Sequence, residues 1–302
     1  MISRNQRADA IESAPLNGAV ARRSWIQDQL RLWRRNKMAT VGLVIVLIVI
    51  AMALLASVLA PHDPYERDIR NRIAPPSREH LLGTDNLGRD TLSRIMYGAR
   101  ISLLVGGVSV GIATLVGVPL GLLAGYSAGR LDTLIMRIMD AVIAFPEIVL
   151  AIAILAILGP SVLNAMIAIG IVYIPIFART ARAPSLSESR KEYVEAARAI
   201  GASGWRILLR HVAPNTVSVI IVRITTSLSY AILAEAALSF LGLGASPPTP
   251  TWGRMLNEGR GFMEMAPWVA IFPGLAIAIT VLGFNLLGDG LRDALDPRYR
   301  RT

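Results

Sequence analysis

The chain has 302 residues, of which 53% are hydrophobic and 17% are charged, and its formal net charge is +10. This composition excludes an ordinary soluble domain, which carries a larger share of charged residues. Cysteine is absent, which excludes disulfide, thiolate and iron–sulfur chemistry. No nucleic-acid-binding motif accompanies the basic charge, so we expect no nucleic-acid partner.

The first predicted element is an uncharged run from Val41 to Ala60, after a polar, Arg-rich tail over residues 1–40. Twenty helical residues span about 30 Å, the thickness of a hydrocarbon core. The run is longer than the apolar region of a signal peptide, which is about 7–15 residues. We therefore predict a retained membrane span.

Five further apolar runs predict an all-α polytopic membrane protein with six transmembrane helices. They are Ile101–Tyr126, Leu134–Leu158, Val162–Ala181, Val217–Leu241 and Trp268–Leu287. With Arg223 counted at a span entrance, 22 of the 31 Lys and Arg residues fall on one side of these spans and 9 on the other. The excess marks the cytoplasmic side. Both termini, residues 1–40 and 291–302, and the loop 182–215 are thus predicted to be cytoplasmic, and residues 61–100 and 243–267 extracytoplasmic. Some of the positive charge is expected to attract anionic membrane lipid.

Special residues within the spans suggest how the helices pack. Gly117, Gly121 and Gly125 recur every fourth residue, and Gly107 and Gly111 do the same, so each set should allow close helix approach. The acids Glu147 and Glu235 lie at membrane depth, where such groups face a helix bundle, a water-filled cavity or a polar interface. Kinks are expected at four prolines: Pro119, Pro146, Pro175 and Pro273.

The cytoplasmic loop contains the stretch EYVEAARAIGASGWRILLRHVAPN, residues 192–215. Its spacing predicts two short amphipathic helices that meet at Gly201, the second capped by Ser203 and closed by Pro214. The predicted apolar face of the second helix is Trp205, Leu208, Leu209 and Val212. Three interpretations are open: a loop resting on lipid headgroups, a DNA-binding helix-turn-helix, and a docking element for a soluble partner.

No catalytic constellation is apparent. A phosphate-binding loop needs Gly-Lys, and the two lysines, Lys37 and Lys191, follow Asn36 and Arg190. The histidines, His62, His80 and His211, lack metal-ligand spacing. We therefore expect a non-enzyme that binds no cofactor or metal of its own.

The extracytoplasmic stretch SPPTPTW, residues 246–252, is stiffened by three prolines. Pro247, Pro248 and Trp252 are candidates for contact with another protein, or for a chain reversal anchored by Trp at the headgroups.

Four motifs together resemble the permeases of ATP-binding cassette (ABC) importers. The stretch is similar to the EAA loop of these permeases at Glu195-Ala196-Ala197, Gly201, Ile207, His211 and Pro214-Asn215. HLLGTDNLGRDTLSRIMYGARISL (80–103), LSFLGLGASPPTPTWGRMLNEGR (238–260) and FNLLGDGLRDALDPR (284–298) resemble the dipeptide/oligopeptide subfamily, which includes peptide, glutathione and nickel-chelate importers. The match covers nearly the whole chain from about residue 30.

The resemblance implies a five-helix permease core, residues 101–290, preceded by one extra N-terminal span in the bacterial inner membrane. The loop 182–215 would be the coupling element that docks on an ATPase. Glu195 would pair with a basic group of the ATPase or cap the docked helix, Ala196 and Ala197 would allow close approach, and Gly201 would make the turn. Implied partners are a second permease subunit, two cytoplasmic ATPases that use ATP and Mg, and an extracytoplasmic solute-binding protein. Peptides are the expected cargo. The alternative is an autonomous ion-coupled carrier or channel, but no convincing internal repeat is visible.

Overall fold

The computed structural model describes residues 37–295, so the predicted tails lie largely outside the described residues. The helices are α1 Lys37–Leu54, α2 Ala56–Leu59, α3 Thr91–Ser127, α4 Arg130–Ile143, α5 Glu147–Leu158, α6 Val162–Glu188, α7 Glu192–Ala199, α8 Gly204–Ile207, α9 Ala213–Phe240, α10 Trp252–Gly259 and α11 Trp268–Leu295. A π turn at Leu208–Val212 joins α8 to α9. Five of these helical stretches are long and apolar enough to cross a membrane: α1, α3, α6, the continuous α8–α9 stretch and α11.

The sixth predicted span, Leu134–Leu158, is broken into α4 and α5, which meet at an angle of 87°. The break lies at Pro146, whose backbone is extended at the N-cap of α5. Proline lacks an N–H and disfavours helical geometry in the residue before it, so an apolar run can be continuous while the helix is not. The kink predicted at Pro146 is confirmed, and it separates the predicted span into two helices. Pro119, Pro175 and Pro273 instead lie inside continuous helices.

Helices α3 and α6 run parallel, and this fixes the number of crossings. Ser109 donates a hydrogen bond to the Met166 carbonyl (3.0 Å), and further along both helices Ser185 donates to the Leu122 carbonyl (2.9 Å). Two parallel helices require the chain between them to return to the opposite end. The bent pair α4–α5 therefore makes one crossing, and the total is the six that the sequence predicts.

Glycines on α3 allow α3 and α6 to approach closely. A Cβ atom on Gly125 would lie 2.5 Å from the Arg182 carbonyl oxygen, and one on Gly121 would collide with the Ala178 backbone. A Cβ atom on Gly117 would lie 2.5 Å from the Ile174 carbonyl oxygen and 2.8 Å from the Phe177 Cβ. The predicted packing role of these three glycines is confirmed. In contrast, Gly107 and Gly111 have nothing within 4 Å of that position, so they are not packing contacts within the described chain.

The remaining long helices alternate in direction. Ser102 on α3 bonds Glu235 on α9, while Gly106 on α3 contacts Leu228 on α9, so α3 and α9 are antiparallel. Gly42 and Gly290 likewise place α1 antiparallel to α11, since Gly42 lies at Leu286 and Gly290 at Ala39. Both ends of the described chain therefore lie at the end of the bundle that carries the loop 182–215.

A folded cap covers the opposite end of the bundle. It consists of residues 61–90 and α10, with a 3-10 turn at Ile69–Asn71. Helix α3 begins at Thr91, ten residues before the predicted start of its span, because Asp90 accepts a hydrogen bond from the Ser93 N–H and caps it. Residues 91–100 are polar and escape a search for apolar runs.

Candidate docking loop and pathway residues

Gly201 ends the first helix of the loop, as predicted. Its φ is +81°, in the left-handed region that glycine occupies without strain. The Gly201 N–H donates to the Arg198 carbonyl and the Ala202 N–H to the Ala197 carbonyl, both at 3.0 Å. This pair of bonds is the Schellman motif, which satisfies the last carbonyls of α7 and turns the chain sharply into α8.

The buried face of the loop differs from the predicted one. Ile207, Leu208 and Val212 are buried, together with Val194 and Ala197 of α7, against Leu122, Ala181 and Ile220 at the ends of α3, α6 and α9. Trp205 and Leu209, predicted for this face, are 61% and 53% exposed. Leu208 and Val212 are buried as predicted, and Ile207 takes the inward position that was predicted for Trp205 and Leu209.

Pro214 does not close the second helix. It lies in the first turn of α9, directly after the π turn at Leu208–Val212, and the helix continues past it. Helical structure is continuous from Gly204 to Phe240. Ser203 occupies the N-cap of α8 as predicted, but its side chain makes no capping hydrogen bond.

The outer surface of the loop is apolar at four positions. Ile200 is 85% exposed, and Tyr193, Trp205 and Leu209 are also exposed. The predicted docking residues Glu195, Ala196, Pro214 and Asn215 are exposed too, whereas Ala197 is buried within the chain itself. Ala197 therefore allows close packing of α7 on its own bundle rather than on a partner.

A hydrogen-bond network fixes α7 to the ends of its neighbours. The Tyr193 hydroxyl donates to Glu188 at 2.7 Å, and Asn215 donates to both the Tyr193 hydroxyl (3.2 Å) and the His211 carbonyl (2.7 Å). Partial burial, followed by the hydrogen bond to Glu188, raises the pKa of Tyr193. His211 and Asn215 thus hold the loop in position, and Tyr193 links α6, α7 and α9.

Tyr126, the penultimate residue of α3, anchors the middle of the loop. The Arg198 guanidinium lies 5.4 Å from the centre of its ring, within cation–π range. A Cβ atom on Gly204 would come within 3.2 Å of its hydroxyl. The position of α8 is therefore set by contacts with a membrane helix, and a displacement of the loop would be transmitted to α3.

The two intramembrane acids have different surroundings. Glu235 is 2% exposed and accepts hydrogen bonds from Ser102 (3.0 Å) and Ser239 (2.7 Å). It therefore faces the helix bundle. Glu147 is exposed at the start of α5 and lines a cavity of about 690 Å³ beside the bend.

That cavity meets a second one of about 820 Å³, and Thr180 and Arg223 line both. Arg223 lies ten residues into α9, and the sequence analysis, which counted it at a span entrance, did not recognise it as a residue that lines these cavities. An isolated Arg within an otherwise apolar run was the signal that could have identified it.

Trp252 is not a surface contact residue. Its side chain is 0% exposed, packs against Gly98, and donates from Nε1 to the Ile95 carbonyl at 3.0 Å. The predicted direct contact through Trp252 is therefore wrong, because the helical turn after Thr251 points the indole into the bundle. Pro247 and Pro248 are exposed.

The sequence analysis missed a buried ion network. This network joins the sequence motif at residues 80–103 to the motif at residues 238–260. Arg89 pairs with Asp85 (2.6 Å) and with Glu258 (2.8 Å), and Arg94 also reaches Glu258 (3.1 Å). Burial acts to raise the pKa of Glu258, but Arg94 and Arg89 outweigh it and the pKa is lowered. The network holds the cap onto α3, and no sequence spacing indicates a contact between segments so far apart.

Two histidines without ligand spacing in the sequence come together in the cap. Ligand atoms of His62, His80 and Asp90 lie within 4.8 Å of one another. His80 Nδ1 is 3.0 Å from Asp90, and His62 Nε2 is 2.9 Å from the Glu79 carbonyl. These hydrogen bonds account for the arrangement, which fastens residues 62–80 to the start of α3.

Comparison with known protein families assigns the chain. Residues 117–301 match the family described as binding-protein-dependent transport system inner membrane component. The chain belongs to this family of inner-membrane permeases. Residues 24–76 match the N-terminal transmembrane domain of oligopeptide transport permease C, which confirms the extra N-terminal span before the permease core.

Curated relatives of this permease cover almost its whole length. It is 50% identical over 274 residues to the dipeptide transport system permease protein of Alkalihalophilus pseudofirmus, which covers 91% of this chain and 90% of the relative. It is 49% identical to the glutathione transport system permease protein of Pectobacterium atrosepticum (92% and 93% covered). It is 46% identical to the di/tripeptide transport system permease protein of Pseudomonas aeruginosa (97% and 99% covered).

The fold of the permease is also found in a solved transporter. A chain of the inward-facing MetNI methionine ABC transporter superposes with a TM-score of 0.55 and 19% identity, over 67% of this chain and 96% of that one. At this identity the likeness concerns the fold. The chain is thus a multi-span membrane permease with the helix arrangement of an ABC transporter.

Proposed function

We propose that this permease forms half of the pathway of an ATP-driven peptide importer, paired with a second homologous permease. Two cytoplasmic ATPases, which use ATP and Mg, drive it through the loop 182–215, and an extracytoplasmic binding protein delivers the solute. Both termini are then in the cytoplasm of a bacterial cell, because the ends of the described chain, Lys37 and Leu295, lie at the loop's end of the bundle and the excess of Lys and Arg falls on that side.

The observation that carries this proposal is the two-sided character of the loop. One side is packed on α3, α6 and α9, while the other exposes Ile200, Trp205 and Leu209. An exposed apolar group of this kind beside charged residues is typical of a docking surface. Glu195, exposed in the first turn of α7, would add a charge contact at the rim of such a surface.

The transmission of force follows from the same contacts. An ATPase bound to Trp205 and Ile200 would pull on a loop that is fixed to Tyr126 of α3, to Glu188 of α6 and to α9 through the continuous helix. Three membrane helices would therefore move with the docked partner. A loop lying passively on headgroups has no need of such rigid attachment.

Peptides are the proposed cargo because the relatives that are about half identical over nearly the full length carry peptide names. Dipeptides, di/tripeptides and glutathione share a peptide backbone and at least one free carboxylate. The exposed Pro247 and Pro248 segment, at the cap end of the bundle, is the proposed contact for the binding protein. An autonomous carrier is disfavoured by membership of a family defined by binding-protein dependence.

Trp205→Ala tests the docking surface, with Ile207→Ala as its matched control on the same short helix. Each variant is co-expressed with the ATPases and the second permease, purified in mild detergent and assayed for retained ATPase and for thermal stability. We expect Trp205→Ala to lose most of the ATPase with an unchanged Tm, because the Trp205 side chain is exposed and is not part of the buried core. Ile207→Ala should lower the Tm, because it removes buried volume. Stoichiometric ATPase on Trp205→Ala would contradict the docking role.

A further inference from the structure

Arg223 is a charged side chain on a membrane-spanning helix, and it forms no salt bridge within the described residues. It lies ten residues along α9, about 15 Å from the start of that helix at 1.5 Å per residue. The ion pairs among residues 37–295 do not include it. Its Nε is buried and has no hydrogen-bond partner there.

An arginine on a membrane-spanning helix needs water or a polar partner, because lipid offers no hydrogen-bond acceptor for the guanidinium. The two cavities that it lines supply the space. The larger is bordered by Ser218, Thr226 and Asn285, and both are bordered by Thr180. A surface with so many polar groups does not face lipid tails, so it faces a water-filled pathway or the second permease.

Other charged side chains line these cavities as well. Asp289 and Arg292 line the larger one, and Glu147, whose charge acts on Arg223 without forming a salt bridge, lines the smaller one. Arg179, also in the smaller cavity, pairs with Asp140 at 2.5 Å. Arg223 differs from these groups in its buried Nε, which has no hydrogen-bond acceptor in the described chain, so it offers a free N–H donor beside both cavities.

From this geometry we infer that Arg223 is the point in the translocation cavity that binds the carboxylate of the transported solute. The inference rests on the proposed function, which makes the solute a peptide. An α-carboxyl group has a pKa near 3.5 and is ionised at neutral pH. The planar guanidinium can bind it through two parallel hydrogen bonds. Because Arg223 is only half buried, such binding is weak enough for the solute to leave.

The first experiment measures the charge of the cavity without any solute. Thr180→Cys introduces a single thiol into this Cys-free chain, at a position that lines both cavities. The assembled complex is labelled with an anionic and with a cationic methanethiosulfonate reagent. We expect the ratio of anionic to cationic labelling rates to fall at least about threefold when Arg223→Gln is added, because a cavity focuses the field of its charges.

Ser246→Cys, in the exposed outer segment, is the control, and its ratio should not change with Arg223→Gln. An unchanged ratio at position 180 would overturn the inference. It would show that Arg223 is neutralised by an acid of the second permease or is out of contact with the aqueous cavity.

The second experiment compares uptake of a dipeptide with that of its C-terminal amide. Arg223→Gln should lower the uptake ratio of acid to amide at least about tenfold, the equivalent of about 1.4 kcal/mol. Arg223→Lys keeps the charge but loses the planar guanidinium, so its acid-to-amide uptake ratio should lie between those of the parent and of Arg223→Gln. An acid-to-amide ratio that Arg223→Gln leaves unchanged would overturn carboxylate binding. If the parental complex carries no peptide at all, the proposed function fails, while the labelling ratio still decides whether Arg223 presents its charge to the cavity.

Discussion

Gly201 determines the conformation of the docking loop through its backbone rather than through a side-chain contact. Its φ of +81° is disfavoured for residues with a side chain, yet nothing lies within 4 Å of a Cβ built there. Gly201→Leu should therefore strain only the backbone, by about 1 kcal/mol or more, and shift α8 relative to α7. We expect normal membrane insertion but loss of uptake and weaker retention of the ATPase.

Gly201→Asn is the matched control, because asparagine tolerates the left-handed region better than other residues with a side chain. It should keep most of the uptake. Equal and normal uptake by the Leu and Asn variants would show that the turn is not needed for coupling.

Trp252 separates a structural role from a contact role. Because the indole is fully buried and bonded to the Ile95 carbonyl, Trp252→Ala should destabilise the protein by about 3–5 kcal/mol. Thermal unfolding in detergent measures this, with exposed Trp205→Ala as the control that leaves the Tm unchanged. A Tm equal to that of the parent would mean that the indole does not support the cap.

At the scale of elements, the glycines of α3 provide a test in which two substitutions on the same helix should change protein stability in different directions. Gly121→Ala should destabilise the protein, because its Cβ would collide with the Ala178 backbone of α6. Gly111→Ala should be neutral or slightly stabilising, since space is open there and alanine is the better helix former. The fraction of monodisperse protein after heating, measured by size-exclusion chromatography, distinguishes the two. Similar behaviour would contradict the packing assignment.

The sequence predicts the long elements well because lipid imposes length and apolarity on them. It misses what depends on local backbone geometry. Pro146 predicts a kink in the run 134–158, but neither the proline nor hydropathy shows that the bend reaches 87°. The predicted apolar face after Gly201 was wrong at Trp205 and Leu209, because apolar character alone does not show which side chains of an amphipathic loop face the bundle. The long-range ion network around Glu258 depends on the tertiary fold, which no local pattern records.

At the scale of the whole molecule, the orientation of the bundle is a direct consequence of the proposed function. Arg78→Cys lies in the cap and Arg190→Cys beside the docking loop, and both positions are exposed. A membrane-impermeant thiol reagent added to intact cells should label position 78 and spare position 190, which it should reach only after the membrane is opened. Labelling of position 190 alone in intact cells would invert the orientation and exclude a cytoplasmic ATPase at this loop.

Dependence of transport on a separate ATPase is the central claim, because the chain has no phosphate-binding loop of its own. The most direct test is uptake of a labelled dipeptide by the reconstituted complex with its binding protein, when the phosphate-loop lysine of both ATPases is replaced by alanine. We predict that uptake falls to the level of empty liposomes while the complex remains assembled. Uptake that continues at the parental rate, driven by an ion gradient alone, would contradict the account and identify the chain as a carrier.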